Sequence, residues 1–385
     1  MTMPLPDDHP LGPPAHEQQW VRVAQDLATD FAATAEELDR TAELPIGNLR
    51  ALHASGLDQA TLPREHGGQS LSYRTVSAVL RIISAADPST ACLWLMHIGA
   101  AEGLVQHSTP EVARYYADEL TAGRRFANAL SEPTGGNHFL TPQQVATPVD
   151  GGYRLTGAKR FVSGCEIADH FLINALVDDQ PTLFGLEPDH TVTFQPQDTL
   201  GLRATRSHLI TLTGTTLRDD RRCPPAEHPK PNHIAAGLAA LSLGVADTAL
   251  TTLIDYARSR TLPTGNTLST EQHLQFEVAE AVLALEAATL VAQHTAWLAD
   301  QNSPLFYPSA MRAKPTANRV ARDIAQLCLQ VGGGSGFVST SPIQRIFRDA
   351  QTGWLMAHSV EFCLNHIGTT TMLARQDPTP VAPAG

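Results

Sequence analysis

The order in which apolar residues change their spacing is the strongest constraint this 385-residue chain places on its fold. From Glu17 to Gly123 they recur at helical spacing, as in Val21, Ala24, Leu27, Ala28 and Phe31, and again in Val76, Val79, Leu80 and Ile83. Between Phe126 and Arg222 the texture breaks into short β-branched and aromatic runs bounded by turn residues, among them YRLTG, KRFVSG, FLINALV and LITLTG. After the Pro-rich CPPAEHPKPN the helical period returns in Ala235 to Arg258, Leu274 to Leu298 and Ala317 to Val331. Helices as apolar on several faces as the first of these belong in a bundle core or a subunit interface. A helical block, a strand block and a second helical block exclude a Rossmann alternation and an α/β barrel, which interleave the two element types. The expectation is an α+β chain with a disordered arm over 1–15, a helical domain over 16–125, a β-domain over 126–228, a helical bundle over 229–376 and a disordered tail over 377–385.

Charge and cysteine usage narrow the partners. The 27 Lys+Arg against 39 Asp+Glu give a net charge of −12, with no basic patch, which disfavours nucleic acid and anionic membrane. Five widely spaced cysteines without a CxxC fit neither a zinc ribbon nor a disulfide framework, so reduced thiols and no metal are expected. The first residues lack a basic stretch followed by an apolar core, and no apolar run approaches the roughly 18 residues of a membrane span. A cytoplasmic protein is the expectation.

Three segments carry chemistry. In Ala129 to Asn137, two glycines, a hydroxyl and an amide can bring backbone N–H groups against an oxygen-rich ligand, although the same residues also make an ordinary turn. In Gly157 to Gly164, residues two apart share a strand face, so Phe161 and Ser163 offer an aromatic edge and a hydroxyl to one planar ligand. The bland reading is a core Phe with a Ser at the strand end. Gln330 to Phe337 holds four glycines in five positions, which argues against a helix interior and bares the backbone. It is neither a P-loop nor a Rossmann fingerprint.

Together, from about Leu52 to Arg348, these segments resemble the acyl-CoA dehydrogenase superfamily of flavoproteins. The resemblance also takes in Gly56-Leu57, Leu62 to Gly68, Ala86-Asp87-Pro88-Ser89-Thr90-Ala91, Gly201 to Thr205 and Tyr256-Ala257-Arg258. It implies an N-terminal helical domain, a β-barrel-like middle domain and a C-terminal four-helix bundle, assembled as a homotetramer or homodimer around FAD or FMN. It further implies that Asn128, Leu130, Ser131 and Asn137 contact the pyrimidine edge of the flavin, that Phe161 packs on the ring and that Ser163 hydrogen-bonds near N5. Arg258 or Arg260 and the Gln330, Val331, Gly333, Gly334 loop would serve the phosphate and adenine portions. Asn137 and His138 depart from the usual Ser and Asp.

One departure bears on the reaction. A dehydrogenase of this family needs a carboxylate to remove the α-proton of a thioester, carried about eight residues after an Arg-Asp pair. Here the pair is Arg348-Asp349 and the base position falls on Ala357, with His358 beside it. The family's alternative position, Pro231 to Ala236, is also without a carboxylate. The family's flavin-dependent monooxygenases receive reduced flavin from a separate reductase, use O₂, and need a hydroxyl near N5 and imidazoles rather than a carbon base. The expectation is therefore a two-component monooxygenase oxidising a carbon or nitrogen of a small metabolite, with reduced flavin as co-substrate and a flavin reductase as partner. His97, Ser163 and His358 are its candidate catalytic residues, and His97, His233, Trp354, Met356 and Ala357 its candidate pocket. Taken alone, His97 on the apolar Leu95-Met96-His97-Ile98 also reads as a core histidine, and Trp354 and Met356 as plain core. The alternatives are an acyl-CoA or acyl-carrier-protein dehydrogenase with FAD and a displaced base, for which Glu361 is the candidate, and a non-catalytic scaffold.

Overall fold

The computed structural model describes residues 9–136, 138–224 and 230–373. The N-terminal helices are α1 (Gln18–Thr41), α2 (Ile46–Ala54), α3 (Leu57–Ala60), α4 (Tyr73–Ala86), α5 (Pro88–His107) and α6 (Pro110–Thr121). Two of their starts are written in the sequence. The Ser72 hydroxyl accepts the Thr75 N–H at the head of α4, and the Asp87 carboxylate accepts the Ser89 N–H at the head of α5, with Pro88 in the first turn. Phe31, Leu52, Leu80, Ile83 and Trp94 form the core between them, and α5 is buried nearly all round. The described part of the expected disordered arm, residues 9–15, is docked instead: the Arg74 guanidinium donates to the carbonyls of Pro10 and Gly12. Backbone carbonyls hold it, which an apolar period does not register.

The described residues of the middle domain form seven strands: β1 (Phe126–Ala129), β2 (Thr147–Val149), β3 (Gly152–Val162), β4 (His170–Val177), β5 (Gln180–Leu186), β6 (Val192–Gln195) and β7 (His208–Arg218). They form two sheets, β1-β4-β5 and β2-β3-β7-β6, packed through Leu155, Phe171, Ile173, Phe184, Ile210 and Leu212. The barrel-like expectation is corrected, because the sheets do not close on one another. The smaller sheet gives its outer face to the helices, where Phe126 and Leu172 pack with Leu104 and Tyr116. β4 is accordingly buried on both faces.

The C-terminal helices are α7 (His233–Ser259), α8 (Gln272–Asp300), α9 (Phe306–Gly336), α10 (Pro342–Leu355) and α11 (Val360–Leu373). Among the described residues only α7 is long and apolar enough to cross a membrane, and two-thirds of its most apolar stretch is buried inside the fold. It packs on α4 closely enough that a Cβ at Gly244 would meet the Arg81 carbonyl at 2.5 Å. The Gly332 to Gly336 run is a correction: α9 continues through it, broken only at Gly333 (φ 53°, ψ −142°). Glycine is used there for packing as well as for the break, since a Cβ on Gly332 would press on Ile343 of α10.

Candidate functional site

The residues singled out by sequence converge in part on the junction of the β-domain with α5 and with the joint between α10 and α11, which is the candidate ligand cleft. Its β-side is built on a buried ion pair. The Lys159 ammonium donates to Glu132 Oε1 and to Asn174 Oδ1, each at 2.8 Å, and Glu132 also accepts the Gln143 and Gln144 N–H groups. Burial pulls the Lys159 pKa down while Glu132 works against it. The carboxylate thus pins both ends of the loop that follows Ser131, and the Arg160 N–H holds the Ser131 carbonyl at 2.7 Å.

Phe161 reaches the cleft by a backbone irregularity rather than by regular alternation. The β3–β7 register shifts between Lys159 and Val162, and Phe161 takes φ 57°. Its ring is 55% exposed, with the Arg160 guanidinium 4.6 Å from the ring centre, while Val162 is buried. Ser163 follows, its hydroxyl 2.8 Å from that of Ser207.

From the opposite side α5 presents Cys92 and, one turn later, Met96. The Cys92 thiol lies beside Ser163, and its sulfur is 3.9 Å from that of Met356. Burial pushes the thiol pKa up to about 12, so it is packing and not a nucleophile. Asn128 donates to the Met96 carbonyl at 2.8 Å, and its own carbonyl oxygen is buried with no partner. Leu130 is half-buried beside it, and Asn137 lies outside the described residues.

His97 is a correction. One residue beyond Met96 the helix has turned about 100°, and the imidazole enters the interior between α3, α5 and β1. Nδ1 accepts the Phe126 N–H at 3.0 Å, which leaves the proton on Nε2, 3.4 Å from Asp58 Oδ2. Burial, with Arg125 adding to it, pushes the His97 pKa down to about 4, so the ring is neutral at pH 7. Burial alone would raise the Asp58 pKa. His97, His53 and Arg125 outweigh it and hold the carboxyl well below its ordinary range. Trp94 Nε1–H donates to the same carboxylate at 2.9 Å.

His233 is likewise set apart from Ser163. Its backbone N–H donates to Glu102, and its ring stacks obliquely on Tyr73 beside a separate cavity of about 270 Å³. The residue at the next position, Ile234, packs where a Cβ on Gly99 would stand.

The joint between α10 and α11 supplies the remaining wall. Met356 and Ala357 are half-buried against the α5 core, and Ala357 takes φ 56°. Trp354 lies under the Arg322 guanidinium and donates Nε1–H to Glu361 at 2.7 Å. His358 stacks on Phe362 at 4.4 Å and meets Phe139 at 4.7 Å, which joins the loop after β1 to α11. Arg258, Arg260, Gln330, Val331, Gly333 and Gly334 lie elsewhere, at the far end of the bundle, where Tyr256 donates to the Gly332 carbonyl. No contact among the described residues joins them to Phe161 or Ser163.

An orphaned buried acceptor on Asn128, an exposed aromatic ring and the hydroxyls of Ser131 and Ser163 suit a planar ligand with a polar edge, such as a flavin ring. Among the described residues, neither of the carboxylates nearest Ala357 in sequence is set up as a carbon base. Glu361 is exposed and its pKa is lowered, by its own backbone N–H and then by Trp354. Asp349 is fully buried, pushed up to about 7 by that burial, and occupied by the Leu202 N–H. Sequence reading missed Cys92, Met96, Phe139 and Phe362. Helical counting from the Asp87 cap would have grouped Cys92 with Met96.

Comparison with known proteins gives the same fold. The N-terminal domain of the family described as acyl-CoA dehydrogenase matches residues 14–124, and its C-terminal domain matches residues 232–369. The human mitochondrial short-chain specific acyl-CoA dehydrogenase is 26% identical over 360 residues, covering 88% of this chain and 85% of that protein. Butyryl-CoA dehydrogenase from Megasphaera elsdenii superposes with TM-score 0.86 at 23% identity, over 97% of this chain and 100% of that one. FMN-bound TdsC from Paenibacillus sp. A11-2 superposes with TM-score 0.82 at 23% identity, over 94% and 99%. At those identities the superpositions establish the fold alone, but the two domain matches flank the strand domain on both sides, and the chain belongs to the acyl-CoA dehydrogenase family.

Proposed function

We propose that this chain is a flavin-dependent monooxygenase, taking reduced FMN or FAD from a separate reductase and using O₂ to oxidise a carbon or nitrogen of a small metabolite. The observation that carries the reading is Ala357. The position that should hold a proton-abstracting carboxylate bears a methyl group in a left-handed turn, and neither Glu361 nor Asp349 is poised to replace it. At the family's other base position Ile234 packs on α5 instead. Losing a general base costs about 10²–10⁴-fold in rate, which weighs against desaturation of a thioester.

When bound, the flavin supplies the redox chemistry, delivering electrons to oxygen. The chain's own groups hold and screen it. Asn128 and Ser131 offer acceptors and donors to a ring edge, and Phe161 offers an apolar face. The Ser163 hydroxyl, paired with that of Ser207, offers a hydrogen bond inside the cleft. Met96, Met356 and Ala357 exclude water, and His358 stands at the aromatic seam where a substrate proton can be taken or returned. The five free cysteines are all buried, in keeping with a reducing cytoplasm.

The purified chain, supplied with NADH, a flavin reductase and a panel of phenols, indoles and amines, should consume O₂ with formation of an oxygenated product. A flavin complex that bleaches anaerobically on addition of butyryl-CoA would replace this reading with the dehydrogenase. Absence of binding to either flavin redox state would leave a scaffold.

Self-association is part of the proposal. Phe276, Leu283 and Leu290 recur every seven residues along α8 and are 63%, 61% and 48% exposed, an apolar seam suited to a second copy. Light scattering should show a dimer or tetramer, and Phe276→Glu with Leu283→Glu should shift it to monomer. An unchanged mass would place the interface elsewhere.

A further inference from the structure

Lys314, on α9, is a buried ammonium. Its Nζ donates to the Gly353 carbonyl and to Asn318 Oδ1, each at 2.8 Å, and Asn318 in turn donates to the Ser242 hydroxyl of α7 at 2.5 Å. Gly353 sits in the last turn of α10, whose final carbonyls have no partner inside the helix and form the negative end of its dipole. The fit leaves no room for a side chain: a Cβ at Gly353 would come within 2.6 Å of Asn318 Nδ2 and 2.7 Å of Ser242 Oγ. Directly after this anchor come Trp354, Met356, Ala357 and His358.

Burying an ammonium is costly unless hydrogen bonds and opposing partial charge offset the lost hydration. Here it is aimed at the one backbone carbonyl that precedes the cleft-forming turn. We infer that Lys314 is a positioning residue, whose charged grip on Gly353 ends α10 and holds the Trp354–His358 turn, left-handed Ala357 included, against α5. The inference rests on that turn being part of the site, and not on which reaction runs there.

The grip carries a pH dependence. Burial pushes the Lys314 pKa down to about 8, while Cys363 and Glu361 on α11 oppose the fall. α7 and α9 contribute the uncharged Ser242 and Asn318, and α10 the Gly353 carbonyl. Below that pH the lysine is charged. Above it a neutral amine still donates, but without the charge that roughly doubles such a bond.

Hydrogen exchange of the full chain, read by mass spectrometry without flavin, tests this. In Lys314→Met, amides 354–360 should exchange about tenfold faster while those of β4 are unchanged. Gly353→Ala should loosen the same segment with the lysine intact. In the wild type, protection of this segment, corrected for intrinsic exchange, should fall as pH rises through about 8. In Lys314→Arg, which stays charged, it should be flat between about pH 7 and about 9. Wild-type protection in Lys314→Met, or a pH response that persists in Lys314→Arg, overturns the inference. Should Lys314→Met not fold, the comparison of wild type with Lys314→Arg decides alone. A chain that binds no flavin would undo the proposed function and leave this result untouched.

Discussion

Asp58→Ala is expected to destabilise the chain by about 3–5 kcal/mol, measured as a fall in the urea midpoint at unchanged slope. The carboxylate is fully buried and takes the Trp94 N–H at 2.9 Å and the Arg125 guanidinium at 3.3 Å, with His53 and His97 each 3.4 Å away. Its loss leaves the Arg125 cation inside the fold without an anion. A cost below about 1 kcal/mol would mean that water reaches Arg125 and the cluster is not closed.

The same cluster sets an acid sensitivity in two stages. The His97 pKa is lowered from 6.5 to about 4 by folding, so as pH falls through that window the unfolded chain takes a proton that the folded chain refuses. Stability present at pH 7 is therefore lost between about 6.5 and about 4, on the order of 3 kcal/mol. Asp58 is depressed below its unfolded value of 3.8, so its contribution persists above that pH and is lost only below it. His97→Asn, which can still accept from Phe126, should flatten the first stage and shrink the second, because His97 is one of the groups that hold Asp58 down. An unflattened profile would assign the titration to another group.

Glu132→Ala is expected to have the second large effect, about 3–5 kcal/mol of stability together with at least about tenfold weaker flavin binding. The substitution leaves Lys159 buried with only Asn174 as partner and frees the two N–H groups that tie down the loop after Ser131. Adding Lys159→Met should recover much of the stability, because the uncompensated charge goes, but not the flavin affinity, because the loop stays untied. Recovery of both in the double variant, read by thermal melts and flavin fluorescence quenching, would show that the ion pair serves packing alone.

Sequence and structure divided these results unevenly. The succession of helical, strand and helical blocks is legible in one dimension because period and burial are local properties. α7 is apolar on several faces because it packs on α4, α5, α8 and α9, and β4 is mostly apolar on both faces because sheet and helix cover both sides, His170 and Asn174 being its polar exceptions. Asp87 and Pro88 announce the start of α5 for the same local reason. The missing carboxylate at position 357 was also visible, since absence of a residue type at a given spacing needs no coordinates.

Direction was not legible. Whether His97 faces the cleft or Asp58 turns on one 100° step of a helix buried on nearly every side, where hydrophobic pattern carries no phase. Phe161 is exposed because a single extra residue bulges from β3, and Ala357 turns left-handed because two helices meet there. Cys92 touches Met356 across 264 positions of chain, and Lys314 reaches Gly353 across 39. The sequence alone determined which elements form and in what order, because spacing and propensity act between near neighbours. Only the tertiary structure decided which polar groups meet, because that depends on how remote segments are rotated and seated against one another.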